Sequence, residues 1–89
     1  MSSNLYYEII LGIMKRERQA YWDSHGGKFT HRMPTFLIRR HFNQESVLEL
    51  TGPELRKAMT NLSTQGFVTK HPDSRIGQSY WQLTEKEWK

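Results

Sequence analysis

The sequence predicts a small α+β domain in which three helices are followed by a β-hairpin. Three observations carry that prediction. A helix-start signature at Thr51 and Glu54 opens an apolar stripe that closes at Gly66. Two earlier segments, from Leu5 and from Pro34, repeat apolar residues at helical spacing. Two runs after Gly66 are rich in β-branched and aromatic residues and are separated by a polar loop. A chain of 89 residues supports one modest core and not two, so residues 1–89 are read as one domain.

The first helix is predicted over residues 4–21. Leu5, Ile9, Ile10, Ile13 and Met14 define its stripe, and Asn4 is placed to accept a hydrogen bond from a free N–H of the first turn. The run Asp23, Ser24, His25, Gly26, Gly27 is expected to break it, and Lys28, Phe29 and Thr30 read equally as a lone strand or a loop. Pro34 suits the first turn of a second helix, where its missing N–H does no harm, and Phe36, Leu37, Arg39, Arg40, His41 and Phe42 continue it. Asn43 to Ser46 reads as a turn. Val47, Leu48 and Leu50 are then expected to carry apolar contacts through a connection whose shape the pattern does not define.

The third helix has the clearest signals. Thr51 is an N-cap, Pro53 sits in the first turn, and Glu54 stands three residues after the cap, where its carboxylate can complete a capping box. Leu55, Ala58, Met59 and Leu62 follow at i, i+3, i+4 and i+7, which leaves Arg56, Lys57, Thr60, Asn61 and Thr64 on the other face. Gly66 permits a left-handed C-cap. Residues 67–70 and 79–84 then form the hairpin strands around a basic-tipped loop, and residues 85–89 are read as a tail in which Trp88 folds back.

Charge is segregated along the chain. Residues 24–44 hold Lys28, Arg32, Arg39 and Arg40 and no acid, so they carry a charge of +4. Glu45, Glu49 and Glu54 follow, and residues 55–84 return to +3 through Arg56, Lys57, Lys70 and Arg75 against Asp73. Two basic segments around an acidic one suit either a footprint on a polyanion, where Lys and Arg release condensed counterions, or a merely solvated surface.

The run Leu55, Ala58, Met59, Leu62, Gly66, Phe67, Val68, with a hairpin ending Trp81, Gln82, Leu83, Thr84, Glu85, Lys86, resembles the second half of bacterial winged helix-turn-helix transcriptional regulators. The likeness covers residues 51–84. Family members often have a glycine shortly after the Leu-Thr pair, where this chain has Glu87 and Trp88, and residues 43–50 differ from the family's compact turn. The resemblance implies a small winged helix-turn-helix domain of bacterial or phage type that binds double-stranded DNA and regulates transcription. In such a domain the third helix enters the major groove and the hairpin wing follows the backbone.

That implication assigns roles residue by residue. Arg56, Lys57 and Asn61 are candidates for base edges, since Arg can read guanine and Asn adenine with two hydrogen bonds each. Thr64 lies further along the same face, and Thr51 and Thr60 are candidates for phosphate contacts. Lys70, His71 and Arg75 in the wing, with Arg39 and Arg40 on the second helix, complete the expected set. Paired half-sites favour a homodimer through the N-terminal helix. Tyr6, Tyr7, Tyr21 and Trp22 are its candidate contacts, unless they complete the core. Phe67, Tyr80 and Trp81 alternate along strands beside a helix and are read as core rather than as stacking platforms.

Other function classes lack support in the sequence. No apolar run reaches the roughly 20 residues of a membrane helix, and the start of the chain has no basic signal region, so a cytoplasmic protein is expected. Without cysteine there is no thiolate site, and His25, His31, His41 and His71 include no i, i+4 pair, so no metal is expected. No nucleophile motif or phosphate-cradling glycine loop is present; neither catalysis nor a cofactor is expected. The rival reading is a winged helix that binds protein and not DNA, because Glu45, Glu49 and Glu54 beside the third helix would repel phosphates if they faced them.

Overall fold

The computed structural model describes residues 2–26, 32–72, 74, 79–84 and 86. In chain order, α1 spans Ser2–His25, β1 Met33–Pro34, α2 Thr35–Glu45, α3 Gly52–Thr64, β2 Val68–Lys70 and β3 Tyr80–Leu83. The strands form one antiparallel sheet in the order β1-β3-β2, with Met33 opposite Trp81 on one side and Lys70 opposite Trp81 on the other. The architecture is therefore α+β, as the sequence predicts, with one strand more than the hairpin. None of the described helices is long and apolar enough to cross a membrane.

One core joins all three layers. Ile10 and Met14 of α1, Ile38 and Phe42 of α2, Leu55, Met59 and Leu62 of α3, and Met33, Val68 and Trp81 of the sheet are buried together. Tyr7 is buried among them, and Tyr6 packs against the cluster with its ring edge-on to Phe42, centroids 5.8 Å apart. Tyr6 and Tyr7 thus complete the core instead of forming an outward face for a second subunit. Phe67 and Trp81 are buried as expected, and the Trp81 indole N–H donates to Thr35 Oγ1 at 2.9 Å.

Helix α1 is longer than the spacing suggests at both ends. It begins at Ser2, so Asn4 lies inside the helix and not at its cap. At the other end, interactions one turn apart carry it past Tyr21. Gln19 Nε2 donates to Asp23 at 3.0 Å, Arg18 lies over the Trp22 ring at 4.8 Å, and the rings of Tyr21 and His25 stack at 4.2 Å. Gly26, at φ 72°, is where the chain turns left-handed and the helix stops. Residues 28–30, a strand or loop by sequence, lie outside the described residues.

Pro34 is a strand residue and not the first turn of a helix. With no N–H to give, it tolerates only an edge, and β1 is an edge strand. It leads directly into α2, whose first residue is anchored to the residue just before β3: the Thr35 N–H and hydroxyl both donate to the Ser79 carbonyl, at 3.1 and 3.2 Å. The connection from α2 to α3 is shaped by side chains. Asn43 accepts the Leu50 N–H at 2.9 Å and donates back to the Leu50 carbonyl at 3.1 Å, and Arg39 Nε donates to that carbonyl at 3.0 Å. Leu50 is buried and Leu48 packs at the margin, whereas Val47, expected to make apolar contacts, is wholly exposed.

At α3 the local signals hold in detail. Thr51 Oγ1 accepts the Glu54 N–H at 3.3 Å, and the Glu54 carboxylate accepts the Thr51 N–H at 2.9 Å. Gly66, at φ 90°, turns the chain out of the helix. Lys86 then returns from the far side of the hairpin, its Nζ 2.7 Å from the Gln65 carbonyl and 4.7 Å from the Phe67 ring centroid. A cation at the carbonyl end of a helix opposes its partial negative charge, so Lys86 ties the end of α3 to the chain just past β3.

Glu45, near the end of α2, points to α1. Two nitrogens of the Arg16 guanidinium pair with its two carboxylate oxygens, one of them at 2.7 Å, and His41 Nδ1 lies 3.0 Å away. The Arg16 hydrogen bond, with His41 assisting, holds the Glu45 carboxyl at about 2, well below its usual 4.5. A depressed carboxyl pKa stabilises the fold above the ordinary value and withdraws that support as pH falls through the lowered one. Glu45→Gln is therefore expected to narrow the loss of stability between pH 4.5 and about 2, measured as urea midpoints across that range against the parent. Both partners are substantially exposed, so the difference at neutral pH is expected to be about 1 kcal/mol or less. A parent and variant with parallel pH profiles would contradict this.

Candidate nucleic-acid interface

Helix α3 is built with one face in the core and the other uncovered. Leu55, Ala58, Met59 and Leu62 are buried, while Arg56, Lys57, Thr60, Asn61 and Thr64 are exposed. At about 100° per residue, Lys57, Thr60 and Thr64 stand directly opposite the buried stripe, with Arg56 on one flank and Asn61 on the other. Arg56 and Lys57 occupy the first two turns and leave Thr60 and Thr64 toward the C-terminal end.

The polar groups on this face are not equally available. Thr60 donates its hydroxyl to the Arg56 carbonyl at 2.9 Å, and Thr64 donates to the Thr60 carbonyl at 3.0 Å. Their outward chemistry is thus a methyl group and an acceptor oxygen. Asn61 Nδ2 donates to the Tyr7 hydroxyl of α1 at 3.0 Å, which holds the amide toward α1. Thr51 is engaged in the capping box, and the backbone hydrogen bond from Thr51 keeps the neighbouring Glu54 carboxyl below its ordinary value. That places a fixed negative charge at the positive end of α3.

The basic residues around α3 divide similarly. On α2, Arg40 is exposed, whereas Arg39 is exposed but spends its Nε on the Leu50 carbonyl and keeps its two terminal nitrogens for other partners. In the hairpin, Lys70 of β2 is exposed with its ammonium 5.7 Å from the Trp81 ring centroid. His71 is half-buried just beyond, its N–H donating to the Tyr80 carbonyl at 2.8 Å. Arg75 lies outside the described residues. Ser74 ties the base of the loop to β3 by accepting the Tyr80 N–H at 2.9 Å.

Of the three acids that precede or open α3, Glu45 is neutralised against α1, Glu54 is held by the cap, and Glu49 is exposed. Two basic residues that the sequence reading did not single out also belong to the surroundings. Arg32, exposed, sits 5.2 Å from the Tyr80 ring centroid beside β1, and Lys86 covers the end of α3. The acid-free run of residues 24–44 was the signal for Arg32, while Lys86 figured only as the last residue of the hairpin ending, with nothing to place it at the end of α3. No group of three metal-ligating side chains converges among the described residues. No family model matches the chain, and neither a curated protein nor a solved structure is significantly similar to it.

Proposed function

We propose that this chain is a winged helix-turn-helix domain that binds double-stranded DNA sequence-specifically and regulates transcription by occupying its site. The observation that carries this reading is the outer ridge of α3: Arg56, Lys57, Thr60 and Thr64 are exposed, basic or uncharged, and covered by no other described element. An α-helix with such a ridge fits the major groove, and the β2–β3 hairpin beyond Gly66 serves as the wing. The resemblance of residues 51–84 to winged-helix regulators supports the same assignment.

Within that reading the side chains take separate parts. Arg56 reads guanine through its paired N–H groups, Lys57 reaches a base edge or phosphate beside it, and the methyl groups of Thr60 and Thr64 face thymine methyls. Arg40, the terminal nitrogens of Arg39, and Lys70 and His71 in the wing meet phosphates, with Arg75 at the loop. Asn61 positions α3 against α1 through Tyr7. Thr51, beside the Glu54 carboxylate, is the weakest phosphate contact of the set.

A specific observation favours the rival protein-binding reading. Phe36 at the start of α2 is 63% exposed and Val47 beyond its end is 100% exposed, and each offers one protruding apolar side chain to a protein partner. A salt titration on mixed-sequence duplex separates the two. DNA binding through about four to six phosphate contacts predicts that log affinity falls linearly with log salt, with a slope of about −4 to −5. Absence of duplex binding at low salt would eliminate the DNA reading in favour of the protein-binding one.

A further inference from the structure

Among the described residues, Asn61 is the only member of the outer face of α3 whose side chain is hydrogen-bonded to another helix. Its Nδ2 donates to the Tyr7 hydroxyl of α1 at 3.0 Å, across 54 positions of the sequence. The Tyr7 ring is buried in the core, so its hydroxyl is a fixed point against which the amide is held. Asn61 itself is exposed, on the flank of the ridge formed by Lys57, Thr60 and Thr64.

The chemistry open to Asn61 depends on that bond. An amide reads adenine by donating one N–H and accepting another in a single plane, which requires the whole group to face the base. Tyr7 turns it toward α1 instead. Reading adenine would break a hydrogen bond already made and leave the hydroxyl of a buried ring short of one partner, which offsets much of what the base contributes. The rest of the ridge has no amide to take over. Thr60 and Thr64 give their hydroxyl hydrogens to the Arg56 and Thr60 carbonyls, so the ridge's side-chain donors are Arg56 and Lys57. Cationic donors suit guanine, and the threonine methyl groups suit thymine.

We propose that Tyr7 is a specificity-determining residue that acts through Asn61: its hydroxyl holds the amide out of the groove, so that α3 reads guanine and thymine and makes no amide contact to adenine. The proposal rests on the DNA reading and adds to it a positioning residue on a different helix from the reading surface.

The test is selection of bound sequences from a random duplex library with the parent, Tyr7→Phe, Asn61→Ala and the double variant. Tyr7→Phe keeps the buried ring and removes only the hydroxyl. The parent and Asn61→Ala are expected to select the same bases. Tyr7→Phe is expected to add a preference for adenine of about tenfold at one position, and the double variant to lose it again. Because the gained preference must vanish with Asn61, any other effect of removing the hydroxyl does not count toward it. Urea midpoints of the same chains, without DNA, test the bond itself: the shift of the double variant should differ from the sum of the two single shifts. A Tyr7→Phe chain with the parent's preferences, an Asn61→Ala chain that loses an adenine preference present in the parent, or additive midpoints would each overturn the proposal and leave DNA binding standing. A parent that selects no sequence overturns the DNA reading, and the proposal with it.

Discussion

Phe42→Ala is expected to remove most of the stability of the domain. The ring is fully buried, meets Tyr6 edge-on, and lies in α2 at the junction of all three helices. Truncating a buried Phe loses its transfer energy and leaves a cavity, together costing about 3–5 kcal/mol. A domain of this size has about 5–10 kcal/mol in total. The surroundings cannot collapse to refill the space easily. Arg16 and Glu45 hold α1 to the end of α2, and Asn43 with Arg39 holds the following connection to Leu50. The measurement is urea unfolding followed by Trp fluorescence. The expected result is a midpoint shifted far toward zero urea, with a population already unfolded in buffer. A midpoint within experimental error of the parent would show that Phe42 is not the packing centre of the helices.

The contrast between α3 and its neighbours explains what was legible in the sequence. Every determinant of α3 is local: a cap and its reciprocal carboxylate three residues apart, four apolar residues within eight, and a glycine just past the end. Such signals act through the 3.6-residue period alone and need no partner to be read. The strand Met33–Pro34 is the opposite case. Two residues have no period, and they become a strand only because Trp81 and Tyr80, more than half the chain away, offer free backbone groups. The ends of α1 were missed for an intermediate reason. Leu5 to Met14 mark the half of the helix that touches the core, while the rest continues on side-chain pairs one turn apart that leave no apolar stripe.

The same distinction governs the candidate site. Which face of α3 is outward followed from the stripe, so the exposure of Arg56, Lys57, Thr60 and Thr64 was readable. How each side chain is occupied was not, because Asn61 answers to Tyr7 on α1 and Arg39 to the carbonyl of Leu50. The acidic segment shows this most clearly. By sequence Glu45 stood beside the recognition face as an obstacle to phosphate. In the fold its charge is matched by Arg16, a residue on another helix.

If the ridge of α3 is the DNA-reading surface, Lys57→Glu is the single exchange with the largest expected effect on binding. Lys57 stands opposite the buried stripe and lies nearer the N-terminal end of the helix, where base edges are met. The exchange removes one cation and adds an anion, a change of two charges, at a point that faces the groove. A like-charge contact in an excluded interface costs several kcal/mol, so affinity for a selected duplex is expected to fall by about a hundredfold or more. The salt slope should become shallower by about one unit, because one fewer cation releases counterions. The side chain is exposed and lies on the face of α3 opposite its buried stripe, so the melting temperature should stay close to that of the parent. Arg56→Ala in the same assay gives the second coordinate: a smaller loss on the preferred duplex and a flattened preference for guanine, about 1–3 kcal/mol in all. If Lys57→Glu binds DNA as the parent does, with its fold intact, the ridge is not the interface, whatever its charge and exposure suggest.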